Sequence, residues 1–114
     1  MSYGIPLSMI VQSTDHLLEI PKSSLEPGDV VLVKTINSLY TVRVLHGGFC
    51  SVSGGWFDRK GLSPATTRIA GCTWGGSAIK IDVAAACGLR LEFVNRLLTS
   101  TIEKIILFHY WSKN

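Results

Sequence analysis

The chain has few charged residues for its size. Asp, Glu, Lys and Arg make up 17% of its 114 residues, whereas proteins average about 25%. Hydrophobic residues make up 46%, so few groups are available to cover a surface with charge. This shortage favours a buried interface between chains over a fully solvated monomer. The net charge is +3, and the positive residues form no Lys/Arg cluster. The charge therefore gives little support for binding to nucleic acid or to a membrane surface.

Signals for export and membrane insertion are also missing. No apolar run approaches the roughly 20 residues that a spanning helix needs, and the first residues lack the basic segment of a secretory signal. The three cysteines, Cys50, Cys72 and Cys87, form no CxxC motif and cannot all pair. We therefore expect a cytoplasmic protein with reduced thiols and no membrane partner.

The sequence has no motif that indicates catalysis or a cofactor. GxxxxGK and GxGxxG are absent, and we interpret the Gly-Gly pairs at 47–48, 54–55 and 75–76 as turns because none opens a predicted helix. No two histidines have metal-ligand spacing with a cysteine, and no carboxylates are paired for acid–base work. We expect no catalytic residue, no metal and no cofactor.

The clearest pattern lies at 27–57 and predicts a three-stranded antiparallel meander. A Pro-Gly pair suits a tight turn, and a run of β-branched residues that favour strands follows it. A loop at 36–37 sets Val33 opposite Tyr40, and a loop at 37–38 shifts every partner by two without changing the faces. A shift of one residue would put valines on the wrong face, so the hydrophobic pattern excludes it.

The second turn of the meander is decided by the same parity. A three-residue loop at 46–48 sets Val44 opposite Cys50 and Val42 opposite Val52, which matches apolar with apolar residues. A two-residue Gly-Gly loop would set the valines opposite serines. The longer loop also supplies a glycine for the left-handed position that such turns commonly contain. Cys50 is therefore predicted to face the core.

A second hairpin is predicted downstream. A strand at 67–74 and a two-residue loop at 75–76 set Cys72 opposite Ile79, with Ala70 opposite Ile81. Cys72 is thus expected on an inner face. The predicted core contains Val31, Val33, Tyr40, Val42, Val44, Val52, Ile79 and Ile81.

The segment 82–98 allows two interpretations. Its apolar residues have roughly helical spacing, but Gly88 within a helix would cost about 1 kcal/mol relative to Ala. Residues 89–94 alternate as in a strand, which we favour. The expectation is one all-β domain over 1–114, a small antiparallel barrel or sandwich of six to eight strands. The alternative is an α+β fold with one helix near 82–98.

Candidate ligand-binding residues are aromatic or cationic and lie near the polar loop 58–66. Aromatic side chains interleaved with cations can stack bases or form a peptide groove. In a small barrel, such residues more often plug the core or form an interface. The candidates are Trp56, Arg59, Lys60, Arg68 and Trp74.

The sequence favours a non-enzymatic β-domain that acts by self-assembly or by binding another protein. One alternative is a small nucleic-acid-binding β-barrel that uses the 56–68 loop, and a second is an enzyme whose site forms between subunits. A homo-oligomer is expected because several strands are apolar on both faces. The residues on the second faces are Leu32, Leu45, Phe49, Ile106, Phe108 and Tyr110.

Overall fold

The described chain consists of ten strands and one short helix. The computed structural model describes residues 9–14, 17–75 and 78–112, with side chains between residues 17 and 109. The strands are β1 Met9–Thr14, β2 Glu19–Pro21, β3 Val30–Thr35, β4 Leu39–Val44, β5 Phe49–Gly54, β6 Ala65–Gly75, β7 Ala78–Lys80, β8 Val83–Ala86, β9 Arg90–Phe93 and β10 Leu98–Ser112. Helix α1 spans Gly55–Arg59, and short 3₁₀ turns span Lys22–Ser24 and His46–Gly48.

Six antiparallel strands close into a barrel. They follow the order β10-β3-β4-β5-β6-β9, and β9 pairs back with β10. Strand β1 adds to β10, β7 adds to β6, and β2 pairs with β8 in a separate ribbon. The predicted all-β fold is confirmed in its barrel form. No helix among the described residues has the length and apolar character needed to cross a membrane.

The meander forms as the hydrophobic parity predicts. Val33 pairs with Tyr40 in β3 and β4, and Val44 pairs with Cys50 in β4 and β5. The first turn is therefore the loop at 36–37, and the second is the three-residue turn His46–Gly48. Gly47 in that turn has a φ of 71°, which is the left-handed conformation that favours glycine. Six of the eight predicted core residues, those of the meander, are buried.

The helix considered for 82–98 does not form. Its residues make β8 and β9, and Gly88 between them has a φ of 87°, which a helix excludes. All four residues of β8 are buried, and the strand pairs with β2. The apolar spacing that resembled a helix thus comes from two short buried strands joined by a turn.

The predicted register of the second hairpin is wrong by one residue. Cys72 pairs with Lys80 rather than Ile79, and a bulge lies between Thr73 and Gly75. The backbone of β7 runs so close to Gly71 that a Cβ there would lie 2.4 Å from the carbonyl oxygen of Lys80. Only glycine permits this approach. Gly76, in the predicted loop, lies outside the described residues.

The core assignment of the second hairpin is also wrong. Ile79 and Ile81, which the predicted register placed inside, are exposed. Thr73, which pairs with Ile79, is buried, and its hydroxyl donates to the carbonyl of Ala78. A buried hydroxyl with a partner is tolerated in a core position, and a pattern based on apolar residues does not detect it.

A helix also opens where the sequence predicted a turn. The Gly-Gly pair at 54–55 leads into α1, and the predicted loop 58–66 is shortened because α1 ends at Arg59 and β6 begins at Ala65. Both glycines have positive φ, and a Cβ on Gly55 would lie 2.4 Å from the ring of Tyr40. The close approach lets α1 fold back onto the barrel.

Helix α1 places Phe57 at the centre of an aromatic cluster. The Phe57 ring lies 5.5 Å from that of Phe93 and 6.3 Å from that of Tyr40, both in edge contact. Trp56 packs edge-on against Phe57 at 5.4 Å. Aromatic edge contacts add about 0.5–1.5 kcal/mol beyond the burial of area, so this cluster is a major part of the core.

Replacing Phe57 with Ala is expected to lower the free energy of unfolding by about 3–5 kcal/mol, because a fully buried ring would leave a cavity. Urea titration followed by tryptophan fluorescence measures the change. The matched control is Leu18→Ala, which truncates a side chain that is 78% exposed and should change stability by less than about 0.5 kcal/mol. Equal effects of the two variants would contradict this account of the core.

Candidate functional site

A cleft of about 570 Å³ opens beside the turn His46–Gly48. Its walls come from segments far apart in sequence: the connector after β2, the start of β5, the middle of β6, strand β8 and the turn after β9. This volume lies within the roughly 300–1,000 Å³ typical of small-molecule sites. The residues that characterise it are Lys22, Leu25, Cys50, Arg68, Ala84 and Val94.

Two cations line this cleft, and the chain fixes each of them through a main-chain carbonyl. Lys22 Nζ donates to the carbonyl of Ala70 at 3.0 Å. Arg68 Nη2 donates to the carbonyl of Gly47 at 2.8 Å, and its guanidinium lies 4.3 Å from the centre of the Phe49 ring. The described residues that line the cleft include no carboxylate, so the cleft is electropositive.

The thiol of Cys50 lies in the cleft wall and is buried. Burial raises the pKa of Cys50, and the charge of Lys22 opposes that effect. Cys72 is fully buried on β6, and burial raises its pKa to about 11. The predicted inner-face positions of both cysteines are therefore confirmed. A protonated thiol is a poor nucleophile, so neither side chain is prepared for covalent chemistry.

The five residues proposed from the sequence lie in three separate places. Trp56, Arg59 and Lys60 belong to α1 and its end, where Arg59 Nη1 donates to Ser38 Oγ at 3.3 Å. Arg68 lies opposite Phe49, at the other end of β5 from α1. Trp74 is six residues beyond Arg68 on β6, about 20 Å along an extended strand. The structure therefore does not bring the five into one surface, and their role in ligand binding stays a prediction.

Trp74 belongs to the projecting hairpin of β6 and β7, where it is 64% exposed. Lys80 Nζ lies 5.4 Å from the Trp74 ring and 3.7 Å from Glu19 Oε1. This hairpin also exposes Ile79 and Ile81. The hairpin and the residue just after it thus expose three large apolar side chains.

The junction of β5 and α1 is held by Asp58. Its Oδ1 accepts hydrogen bonds from the backbone N–H of Gly54, at 2.9 Å, and from the hydroxyl of Ser63. The hydrogen bond from Ser63 lowers the pKa of the Asp58 carboxyl, and the bond from Gly54 lowers it further. The carboxylate therefore ties the two ends of the 54–63 segment together.

One acid–imidazole pair was not predicted from the sequence. His109 Nδ1 on β10 lies 2.9 Å from Oδ2 of Asp29, whose side chain is buried. The same oxygen accepts a hydrogen bond from the backbone N–H of Glu26 at 3.0 Å. The pair fastens the entry to β3 against the end of β10, and it could have been found only from the pairing of those two strands.

Lys22 also escaped the sequence reasoning. It lies in a connector between two prolines, where no periodicity indicates which strand its side chain reaches. Only the fold brings it to β6.

The described residues contain no group of three or more His, Cys, Asp or Glu side chains that could hold a metal ion. The fold and site define a small closed β-barrel with an electropositive cleft. No protein-family model matches this chain, and neither a curated protein nor a solved structure matches it. Function must therefore be inferred from the geometry of these surfaces.

The thiols give a direct test of the cleft and the core. Cys87 is half-buried and should react first with a maleimide at pH 7.5, whereas Cys50 and Cys72 should react more slowly because the reagent does not reach a buried thiol. Burial raises the pKa of all three thiols, so access rather than protonation separates them. Mass spectrometry of digested samples gives the three rates, with urea-unfolded protein as the control. Comparable rates in the folded protein would show that the assigned burial is incorrect.

Asp58→Asn should lower the melting temperature at pH 7, because the amide lacks the charge that both donors stabilise. The folded-state pKa of Asp58 is lowered, so the carboxylate contributes stability above its ordinary pKa of about 3.9. That contribution is lost as pH falls through the lower, folded value. The difference between wild type and variant should therefore shrink at the acid end of a melting series from pH 7 to pH 2.5. A constant difference would exclude this role for the charge.

Proposed function

We propose that this chain is a non-enzymatic β-domain that acts by self-assembly, most simply as a pair of identical chains joined through the β6–β7 hairpin. The observation that supports this proposal is the exposure of three large apolar side chains on one hairpin. Trp74 is 64% exposed, Ile81 62% and Ile79 37%. Exposed apolar groups that lie together commonly mark an interface, and tryptophan is enriched among the residues that dominate binding energy.

The hairpin replaces the strand faces from which the sequence predicted an interface. Leu32 is buried, while Leu45, Ile106 and Phe108 are half-buried. Phe49 is exposed, but the guanidinium of Arg68 lies over its ring. The side chain of Tyr110 lies outside the described ones. The apolar surface that these strand faces offer to a partner is therefore smaller than the sequence indicated.

We assign the contact between the two chains to side-chain packing rather than to pairing of β7 with a strand of the partner. Strand β7 ends one path of the sheet, so its outer edge has no strand neighbour among the described residues. It is only three residues long and contains Lys80, and short charged edges resist pairing with another strand. Ile79 in β7, Ile81 just after it and Trp74 in β6 are exposed and can pack against a partner.

We favour a second copy as the partner because exposed residues of both charges, Lys80 and Asp82, flank Ile81 in the sequence. Lys80 Nζ already lies 3.7 Å from Glu19 Oε1, so the contact is assigned to the apolar side chains rather than to new ion pairs. Twofold pairs are the commonest closed assemblies, and about 800 Å² buried per chain is ordinary for a stable pair.

Light scattering on a sizing column at low micromolar concentration tests the proposal. Wild-type protein should elute with twice the mass of the 12.4 kDa chain. The double variant Trp74→Ser, Ile81→Ser should elute as one chain with a nearly unchanged melting temperature, because both side chains are exposed. The control Leu18→Ser, Leu62→Ser removes exposed apolar groups elsewhere and should remain paired. A wild-type mass of one chain would end the proposal.

The two alternatives stay predictions and can be tested on the same samples. The nucleic-acid alternative depends on Trp56, Arg59 and Lys60 near α1, and a salt-sensitive anisotropy change with single-stranded RNA that Arg59→Ala, Lys60→Ala removes would favour it. An enzyme with a site between subunits would lose activity on dilution.

A further inference from the structure

The cleft carries an inference that goes beyond self-assembly. Its walls are largely apolar, with Leu25 from the connector, Ala84 from β8 and Val94 from the turn after β9. Val94 is 55% exposed, and its backbone N–H donates to the carbonyl of Arg68 at 3.0 Å. The main-chain bond fixes one lip of the cleft while the side chain remains available to a ligand.

Lys22 and Arg68 can both donate hydrogen bonds to an anion in the cleft. Each is positioned by one bond to a carbonyl, yet an ammonium has three donors and a guanidinium has five. Both side chains therefore retain donors for a further acceptor. The charge of Lys22 also reaches the wall of the cleft, because it opposes the effect of burial on the pKa of Cys50.

The chain does not neutralise these charges within the cleft. No carboxylate is among its described lining residues. Glu19 and Glu103 form salt bridges with Lys80 and Lys34, and none of these four residues lines the cleft. Two cations beside apolar walls are complementary to a molecule with an anionic head and an apolar body. A small number of polar groups in an apolar pocket is the usual composition of a small-molecule site.

We propose that the cleft binds a small organic carboxylate, with its head on Lys22 and Arg68 and its apolar body against the walls. The guanidinium can take a carboxylate through two parallel hydrogen bonds, and the ammonium adds a point charge. The Phe49 ring beneath the guanidinium helps to orient it. This site uses neither Trp74 nor the isoleucines Ile79 and Ile81, so it is independent of self-assembly.

Calorimetric titration with three decyl compounds tests the assignment. Decanoate, decanol and decyltrimethylammonium share a tail and differ in the charge of the head. Wild-type protein should bind decanoate at least about tenfold more tightly than decanol, and decyltrimethylammonium most weakly. Equal affinities, or no binding of decanoate, would overturn the proposal.

Matched variants assign the preference to the two cations. Lys22→Met and Arg68→Met should each weaken decanoate binding about tenfold and leave decanol binding within about twofold. The controls Lys80→Met and Arg59→Met remove the same charges outside the cleft and should bind as wild type. Arg68→Lys keeps the charge but loses the two parallel hydrogen bonds, so its preference for decanoate should lie between those of wild type and Arg68→Met. If Lys22→Met and Arg68→Met bind decanoate as tightly as wild type, the proposal fails.

The position of the bound molecule is checked by amide chemical shifts. Decanoate should shift the amides of Gly47, Gly48 and Ile69, which border the cleft, and leave those of α1 unchanged. The double variant Trp74→Ser, Ile81→Ser should give the same shifts, whatever its mass. Shifts confined to α1 or to the hairpin would place the molecule elsewhere and refute the assignment.

Discussion

The barrel depends on strand β10, which pairs with two other barrel strands. Residues at its start pair with β9, and from Ile102 to Phe108 the same strand pairs with β3. Both neighbours meet at the buried Ile102, which pairs with Thr35 of β3 and exchanges two backbone hydrogen bonds with the turn before β9, at 2.8 and 2.9 Å. A register shift follows between Ile102 and Lys104, and bulges of this kind bend a strand and increase its twist. Strand β10 thus joins β3 to β9 and closes the sheet into a barrel.

Strand β6 connects the features that bear on function. Its first residues pair with β5 in the barrel, its middle residues line the cleft, and its end forms the projecting hairpin with β7. Gly71 separates the cleft-lining part from the hairpin and admits the backbone of β7. A barrel strand that continues past the barrel thus supplies both a pocket wall and an exposed surface.

Much of the fold could be predicted from the sequence, because in the meander each strand has one apolar face. Val33, Tyr40 and Cys50 face the core for any shift of the strand pairing by an even number of residues. A shift by one residue would expose all of them. The second hairpin lacked this protection. Its register depends on a bulge and on the absence of a side chain at Gly71, and the buried Thr73 does not resemble a core residue. Helix α1 was missed because it is too short for periodicity, and its Asp58 bonds backward to Gly54.

The candidate cleft was beyond the reach of sequence patterns for a different reason. Lys22, Cys50, Arg68 and Val94 meet only after the connector, β5, β6 and β9 are assembled. Spacing along the chain carries no information about such a meeting. The sequence did identify Arg68 by its chemistry, but it grouped Arg68 with Trp56 and Trp74 on a shared polar region, and the strand length separates all three.

The closure of β10 on β3 also constrains how the chain comes to be folded. Val30 pairs with Phe108, so the contact that seals the barrel joins residues near opposite ends of the described chain. Contacts of such long sequence separation make folding slow, commonly milliseconds to seconds for barrels. During synthesis, the meander emerges long before β10. The edge of β3 that later pairs with β10 therefore has no partner strand until β10 is made. Lys34, the charged residue of β3, is the kind of residue that limits aggregation during such a delay.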